Sequence, residues 1–219
     1  MDGRFRDRAD AGRRLASQLV GRPGLADAVV LALPRGGVPV AREIADALGA
    51  DLDVMVVRKL GVPGHEELAM GAIASGGVRI MNDEVLGMLY IPEAEIERVV
   101  AREQAELERR ERAYRGSRPA PQVRGRVAIL VDDGVATGST IRAAIAALRR
   151  REPARIVVAI PVAPPDVCEM LRHEADEVIC LLTPEPFAAI SIWYDRFPQL
   201  SDDDVRALLQ RAGGERRVG

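Results

Sequence analysis

Two adjacent carboxylates, Asp132 and Asp133, follow a run of five apolar residues, Val127–Val131, that is typical of a buried parallel strand. A short segment with two glycines and three hydroxyl side chains comes next: Gly134, Val135, Ala136, Thr137, Gly138, Ser139 and Thr140. A helical run, residues 141–151, then begins. Loop N–H groups and the positive end of a helix dipole bind phosphate, and a strand-end acid can accept hydrogen bonds from a vicinal diol. The pattern therefore predicts a sugar-phosphate site.

A simpler interpretation of this segment is a tight strand-to-helix turn with a Ser or Thr cap. Two carboxylates side by side fit that interpretation poorly, because nothing in such a turn compensates their mutual repulsion. The segment is also not a Walker A loop, which needs Gly, four residues and then Gly-Lys-Ser/Thr. Here the glycines are Gly134 and Gly138, and Ser139 stands at the position of the lysine.

The segment resembles the signature of the type I phosphoribosyltransferases, which binds 5-phosphoribosyl 1-pyrophosphate (PRPP): an apolar strand, two acids, two mostly apolar residues, then a small residue, Thr, Gly and hydroxyls. The resemblance implies displacement of pyrophosphate from C1 of PRPP by a nitrogen atom of a base. It implies that Asp132 and Asp133 hold the ribose hydroxyls and that residues 134–140 hold the 5′-phosphate. Mg²⁺ is the implied cofactor, held near the two acids mostly through water.

The residue just before Thr137 narrows the choice of acceptor. Hypoxanthine-guanine members of the family carry an Asp there, placed to interact with the base, whereas adenine-type members carry Ala. This chain has Ala136. The resemblance therefore argues against hypoxanthine or guanine as the acceptor, and no general base is visible within the signature.

A second glycine-containing loop, Pro34-Arg35-Gly36-Gly37-Val38, follows the first predicted strand, residues 28–33. The N–H groups of its two glycines can form an anion site together with Arg35. An ordinary strand-to-helix turn could have the same composition. The resemblance implies that this loop binds pyrophosphate and that it often contains a non-proline cis peptide bond.

Arg58 and Lys59 stand at the end of the second predicted strand. The resemblance implies a basic residue here that meets the pyrophosphate, followed by a flexible loop that closes over the site; residues 60–70 fit that loop. Arg58 is accordingly predicted to bind pyrophosphate, and Lys59 to neutralise its charge during catalysis. Glu67 is a candidate catalytic acid or base, as is His65. The alternative for each of them is a solvated surface side chain.

Four of the seven aromatic residues lie close together: Phe187, Trp193, Tyr194 and Phe197. They belong to a segment, residues 183–200, that by resemblance is the variable hood that recognises the base. Aromatic rings stack on flat bases, so Phe187, Trp193 and Tyr194 are the predicted base-binding residues. The alternative is that these rings close a small hydrophobic subcore over the end of the sheet.

The composition bounds the class of protein. A net charge of −2, from 31 basic and 33 acidic residues, lacks the basic excess of nucleic-acid-binding proteins. The charged N-terminus is unlike a signal peptide, and no apolar run approaches the roughly 18 residues of a membrane span. Two cysteines without a CxxC motif favour reduced thiols over structural zinc. We expect a cytoplasmic protein whose partners are small molecules, not a membrane.

Strands that alternate with helices predict an α/β fold, a Rossmann-like, mostly parallel sheet with flanking helices, plus the small hood. Ligands bind beyond the carboxyl ends of such strands, where the loops described above converge. We expect one phosphoribosyltransferase-like domain over residues 1–219, with a disordered tail at 213–219. The long helix predicted at 92–114 carries a thin apolar stripe that suits a dimer contact, a lid contact or simple solvation. With the resemblance, it predicts a homodimer.

Four short motifs are similar to a bacterial subgroup of phosphoribosyltransferase-like proteins, a resemblance that supplies no substrate: Arg4-Phe5-Arg6-Asp7-Arg8, Pro34-Arg35-Gly36-Gly37, Val57-Arg58-Lys59-Leu60-Gly61 and Glu67-Leu68-Ala69-Met70-Gly71-Ala72. The resulting prediction is a pentosyltransferase that transfers the phosphoribosyl group of PRPP to a base. One alternative is a non-catalytic PRPP or nucleotide sensor that regulates a partner. Two others are a nucleic-acid-binding regulator on the same scaffold and a phosphorylase or hydrolase of a phosphoribosyl compound.

Overall fold

The computed structural model of the chain describes residues 3–214. The elements follow in chain order as α1 (Arg8–Leu19), β1 (Val29–Ala32), α2 (Gly37–Leu48), β2 (Asp51–Val54), β3 (Val57–Val62), β4 (His65–Ala74), β5 (Val78–Met81), α3 (Asp83–Leu89), α4 (Glu93–Arg115), β6 (Val127–Val131), α5 (Ser139–Arg149), β7 (Arg155–Val162), α6 (Pro165–Glu174), β8 (Glu177–Leu182) and α7 (Asp202–Gly214), with a 3₁₀ turn at Ile190–Trp193. Among these described helices, none is both long and apolar enough to cross a membrane.

Five of the strands form one parallel sheet in the order β2-β1-β6-β7-β8, so the predicted α/β fold is confirmed. The two central strands β1 and β6 are apolar throughout because helices cover both faces of the sheet. Successive side chains of β1 and β6 enter two different cores. Val30 and Ile129 pack on the side of α1, α2, α4 and α7, whereas Leu31 and Leu130 pack on the side of α5 and α6.

The first helix, α1, fixes the position of one arginine. Asp7 caps α1, since its side chain accepts a hydrogen bond from the backbone N–H of Asp10 at 2.9 Å. Leu15 and Leu19 anchor the opposite end of the helix in the core. Arg8 is therefore held in the first helical turn, at the end of α1 that lies beside the signature segment.

The segment predicted as a flexible loop, residues 60–70, is instead largely strand. β3 and β4 form an antiparallel hairpin, extended by β5 into a three-stranded sheet, and the predicted strand 52–57 ends at Val54. The reason is that the side chains of β3 alternate between two faces although the stretch is polar in composition. Leu60 and Val62 are buried in the main core, which is the core on the side of α1, α2, α4 and α7, whereas Lys59 is exposed. Residues 75–77 form the turn that joins β4 to β5.

The apolar stripe of α4 has its partners within the same chain. Val99 and Leu107 are buried, and Ile96 and Val100 pack against the main core. This helix contacts β3 and α7, so the stripe is neither solvated nor free for a lid or a second copy. The homodimer stays a prediction.

The predicted disordered tail, residues 213–219, lies mostly outside the described residues. Gly213 and Gly214 are the exceptions. They belong to α7, which therefore extends two residues into the segment predicted to be disordered. Ser201 precedes this helix, and its hydroxyl donates to the carboxylate of Asp204 at 2.7 Å.

A buried ion pair joins the end of α4 to the parallel sheet, and its removal should destabilise the fold. Arg115 donates to Asp53 of β2 at 2.8 and 2.9 Å, and both side chains are almost fully buried. We expect Arg115→Leu to lower the free energy of unfolding in urea by about 3 kcal/mol, because Asp53 would stay buried without its counter-ion.

The control for this prediction is Arg112→Leu on the same helix. Arg112 is 71% exposed and lies 3.7 Å from Glu108, so its loss should cost less than about 1 kcal/mol. Equal losses in the two variants would contradict the prediction.

Candidate functional site

The loop between β6 and α5 surrounds a small cavity of about 130 Å³ at the carboxyl end of the parallel sheet. One predicted acid and the whole predicted phosphate loop line it: Asp132, Gly134, Val135, Ala136, Thr137, Gly138, Ser139, Thr140 and Ile141. The cavity lies at the N-terminus of α5, where free N–H groups and the helix dipole favour an anion. The geometry therefore suits a phosphate group.

Gly138 is required at the bend into α5. Its φ of +79° lies in the left-handed region, and a Cβ atom would lie 2.6 Å from the terminal methyl of Met170 on α6. The hydroxyl oxygens of Thr137 and Ser139 lie on either side of this glycine, 3.4 Å apart and exposed. Both hydroxyls can therefore reach one small ligand in the cavity.

The two adjacent acids have different surroundings. Asp133 is buried, and its carboxylate accepts a hydrogen bond from Nε of Arg8 at 2.7 Å. The hydroxyl of Tyr194 donates to the backbone carbonyl of Asp133 at 2.6 Å. Asp132 is only partly buried and lines the cavity, while its Oδ1 accepts from the N–H of Asp133 at 2.9 Å. Asp132 thus faces the cavity, and Asp133 faces the protein interior.

The pKa values of Asp132 and Tyr194 follow from these surroundings. Burial and the neighbouring charge of Asp133 raise the pKa of Asp132 well above the usual range of an aspartate. Burial, followed by the charge of Asp133, also raises the pKa of Tyr194, so this hydroxyl stays protonated and can only donate to Asp133.

The glycine loop after β1 lies directly against the acids, as the sequence predicts. A Cβ atom on Gly36 would collide with the carboxylate of Asp133, and one on Gly37 would lie 2.6 Å from the carbonyl oxygen of Val131. The peptide bond between Pro34 and Arg35 is cis, which agrees with the implication of the resemblance. The side chain of Arg35 is about half exposed, with Asp202 of α7 at 3.5 Å.

Arg58 pairs with an acid of α4 and does not line the phosphate cavity, and its role in pyrophosphate binding stays a prediction. Its guanidinium donates to one carboxylate oxygen of Glu103 at 2.5 and 2.8 Å, and that glutamate is buried on α4. The charge of Arg58 is therefore neutralised inside the fold, and the pair holds the hairpin on α4.

Lys59 and Glu67 face each other across the hairpin and not the cavity. Nζ of Lys59 lies 3.5 Å from a carboxylate oxygen of Glu67, whose side chain is fully exposed. Neither residue is among those that line the phosphate cavity, and neither is His65. Their catalytic roles stay predictions, and the geometry fits the alternative of solvated side chains.

The predicted base-binding aromatics form the subcore that the sequence left open as the alternative. Tyr194 is 2% exposed, with ring centroids of Phe5 and Phe197 at 5.3 and 4.9 Å, so it cannot stack on a base. Phe187 and Trp193 are partly buried against the same cluster. Backbone hydrogen bonds tie this hood segment (residues 183–200) to the start of the chain, including Phe5 N–H to Trp193 at 2.8 Å.

Arg8 is the functional residue that the sequence reasoning missed. It is 9% exposed, donates to Asp133 and to the carbonyl of Pro198 at 2.8 Å, and stacks on the ring of Phe197 at 3.7 Å. The signal was present in the N-terminal motif, residues 4–8, but its partners are far away in sequence.

The comparisons with known proteins agree with this geometry. The phosphoribosyl transferase domain family matches residues 4–191. Two Mycobacterium tuberculosis proteins, each named "Putative phosphoribosyl transferase", are 48% identical to this chain over 208 residues, which cover 95% of the chain and 47% of the relative. The chain thus spans about half the length of these relatives. The crystal structure of TT1426 from Thermus thermophilus is 44% identical, with a TM-score of 0.85 and coverage of 95% and 98% of the two chains.

Because Asp132 and Asp133 have different surroundings, an Asp→Asn substitution should change the stability of the fold in opposite directions at the two positions. Asp133→Asn should lower the free energy of unfolding at pH 7 by on the order of 3 kcal/mol, because Arg8 would stay buried without a counter-ion. Asp132→Asn should raise that free energy, because it removes a carboxylate whose ionisation is unfavourable in the folded state. Urea titrations of the two variants measure both signs, and equal signs would contradict the assignment.

The pH dependence gives a second measurement on Asp132→Asn. The folded carboxyl group of Asp132 holds its proton to a higher pH than the unfolded one. The wild type therefore loses stability as pH rises from the unfolded pKa of about 3.9 to the raised folded pKa. The gain in the free energy of unfolding of Asp132→Asn over the wild type should be absent below that pH range and reach its full size above it.

Proposed function

The chain belongs to the phosphoribosyl transferase domain family, and from this premise we propose that it binds PRPP with Mg²⁺ and transfers the phosphoribosyl group to a nitrogenous base, releasing pyrophosphate. The observation that carries the proposal is the cavity at residues 132–141, which joins a helix N-terminus, three hydroxyl side chains and one partly exposed carboxylate. A ribose 5-phosphate presents the two complementary groups, a dianion and a vicinal diol, about one sugar ring apart.

The roles of the residues follow from their positions. Residues 134–140 receive the 5′-phosphate, and Asp132 accepts hydrogen bonds from the ribose hydroxyls. Gly36 lies beside Asp133, and its backbone N–H is the candidate donor to the pyrophosphate, with Arg35 as the nearest cation of that loop. The N–H of Gly37 already donates to the carbonyl of Leu33 at 3.0 Å. Asp133 supports these loops from the protein interior and does not bind the ligand itself, because its carboxylate is already paired with Arg8.

Mg²⁺ fits the site through one acid and not through a protein cage. Among the residues that the structure describes, no three His, Cys, Asp or Glu side chains are grouped to hold a metal ion. Asp132 would hold the hydrated ion together with oxygens of the ligand, as this small cation prefers. When bound, Mg²⁺ would offset the negative charge of the leaving pyrophosphate.

The proposed reaction breaks the bond between C1 and the pyrophosphate oxygen and forms a bond between C1 and a nitrogen of the base. Positive charge develops at the ribose ring as the leaving group departs. The chain contributes chiefly by holding the two reactants in line and by placing donors around the departing phosphates. Ala136 offers the base no acid, so the acceptor is not one that requires a carboxylate at that position.

A non-catalytic PRPP or nucleotide sensor is the second candidate. Two observations favour it: the charge of Arg58 is neutralised by Glu103, and the ring of Tyr194 is buried. Both are groups that turnover would otherwise use directly. Steady-state release of pyrophosphate in the presence of a base would exclude the sensor.

Calorimetric titration with PRPP and Mg²⁺ tests the proposed binding. We expect saturable binding by the wild type and a loss of at least about ten-fold in affinity in Asp132→Asn, because the substitution weakens both the hydrogen bonds to the ribose hydroxyls and the contact with the hydrated Mg²⁺. Inorganic phosphate has no ribose, so its affinity should be the same in both proteins. Absence of PRPP binding by the wild type would remove PRPP from the function.

The matched control is Asp195→Asn, which removes an exposed acid of the hood segment that pairs with Arg4 at 3.4 Å. Its PRPP affinity should equal that of the wild type. A pyrophosphate-release assay over a panel of purine and pyrimidine bases then separates the enzyme from the sensor.

A further inference from the structure

We propose that Arg8 is a positioning residue that couples the hood segment to the ribose side of the site through Asp133. The inference rests on the proposed function and deepens it, because it names how the acceptor side and the phosphoribosyl side of the same site influence each other. Binding of PRPP at Asp132 is expected to change the hood, and binding of an acceptor by the hood is expected to change the affinity for PRPP by the same factor.

The first step of the argument is the position of the Arg8 guanidinium between three elements. Nε donates to the carboxylate of Asp133 at 2.7 Å, Nη1 donates to the carbonyl of Pro198 at 2.8 Å, and the planar group lies 3.7 Å from the ring centre of Phe197. Only about a tenth of its surface is exposed. One side chain of α1 therefore fixes the end of the hood segment and the acid after β6 at the same time.

The second step is that the hood reaches Asp133 by an independent route. The hydroxyl of Tyr194 donates to the backbone carbonyl of Asp133 at 2.6 Å, while the ring of Tyr194 packs between Phe5 and Phe197. The hood thus contacts both the side chain of Asp133, through Arg8, and its main chain. A displacement of the hood would therefore act on Asp133 through both its side chain and its main chain.

The third step is that Asp133 has no freedom to absorb such a displacement. Its carboxylate lies so close to the backbone of Gly36 that a Cβ atom there would collide with it. Its N–H donates to the carboxylate of Asp132 at 2.9 Å. Movement of Asp133 must therefore reorient Asp132, the carboxylate that lines the cavity.

The chain contains a single tryptophan, and it lies in the hood, which makes the coupling measurable. Trp193 is partly buried, and its carbonyl accepts from the N–H of Phe5. It lies outside the phosphate cavity. A change in its emission on PRPP binding therefore reports the hood and not direct contact with the phosphate loop.

The experiment titrates PRPP and Mg²⁺ into the wild type, Arg8→Gln, Arg8→Lys and Arg14→Gln, with calorimetry for affinity and Trp193 emission for the hood. We expect the wild-type emission to change in parallel with saturation. Arg8→Gln should bind PRPP at least ten-fold more weakly and lose most of the emission change at saturation, and Arg8→Lys should recover part of both. A purely structural role would lower stability and leave the saturated emission change intact.

Arg14→Gln is the matched control, since Arg14 also lies on α1, pairs with Asp10 at 2.8 Å and lies over the ring of Phe5 at 5.1 Å. Neither of these contacts reaches Asp133, so its affinity and emission change should equal those of the wild type. Folding of each variant is checked by circular dichroism and by a cooperative thermal transition.

The outcomes separate this inference from the proposed function. A folded Arg8→Gln with wild-type affinity and emission change overturns the inference and leaves PRPP binding intact. A wild type that does not bind PRPP overturns the proposed function, and the inference falls with it. If Arg8→Gln does not fold, Phe197→Leu decides, because it keeps the ion pair and removes the stacked ring of the hood. In Phe197→Leu, the change in Trp193 emission on PRPP binding should be at least two-fold smaller than in the wild type, while the affinity for PRPP stays within three-fold. An unaltered emission change in this variant overturns the inference.

Discussion

Two carboxylates can be adjacent at the end of a buried strand only if the protein compensates one of them, and the ion pair between Arg8 and Asp133 does this. Burying a charge costs several kcal/mol unless a well-placed partner and further hydrogen bonds satisfy it. Arg8 provides that partner, while a second of its N–H donors bonds to the carbonyl of Pro198 and its planar face stacks on Phe197. Asp132 is then left as the acid that faces the cavity, with its ionisation opposed by its neighbour.

This one interaction explains why the start of α1 and the hood segment lie where they do. Both must reach the carboxyl end of β6, and the backbone hydrogen bonds between Phe5 and residues 193–195 hold them there together. The glycine loop after β1 is constrained from the other side, because Asp133 occupies the space where a side chain of Gly36 would be. The cavity at residues 132–141 is the open part of an otherwise tightly filled corner.

The sequence predicted what is encoded locally. The apolar strand, the acids and the glycine-hydroxyl loop are contiguous, so their placement at the N-terminus of α5 follows from the period of the pattern alone. The contacts that changed the assignments are between distant residues: Arg58 with Glu103 is separated by 45 positions, Tyr194 with Asp133 by 61, and Arg8 with Asp133 by 125. No periodicity shows which charge or ring will meet which. The hairpin of β3 and β4 was missed for a different reason, since its buried face is Leu60 and Val62 within an otherwise polar and glycine-containing stretch.

The distances along the chain also set an order in which the corner can be completed during synthesis. During synthesis Arg8 leaves the ribosome before Asp133, and Asp133 leaves it before Phe197 and Pro198. Domains generally fold as units, so Asp133 lacks part of its surroundings until residues 197 and 198 have emerged. The ligand site therefore cannot be complete before the hood segment has been synthesised.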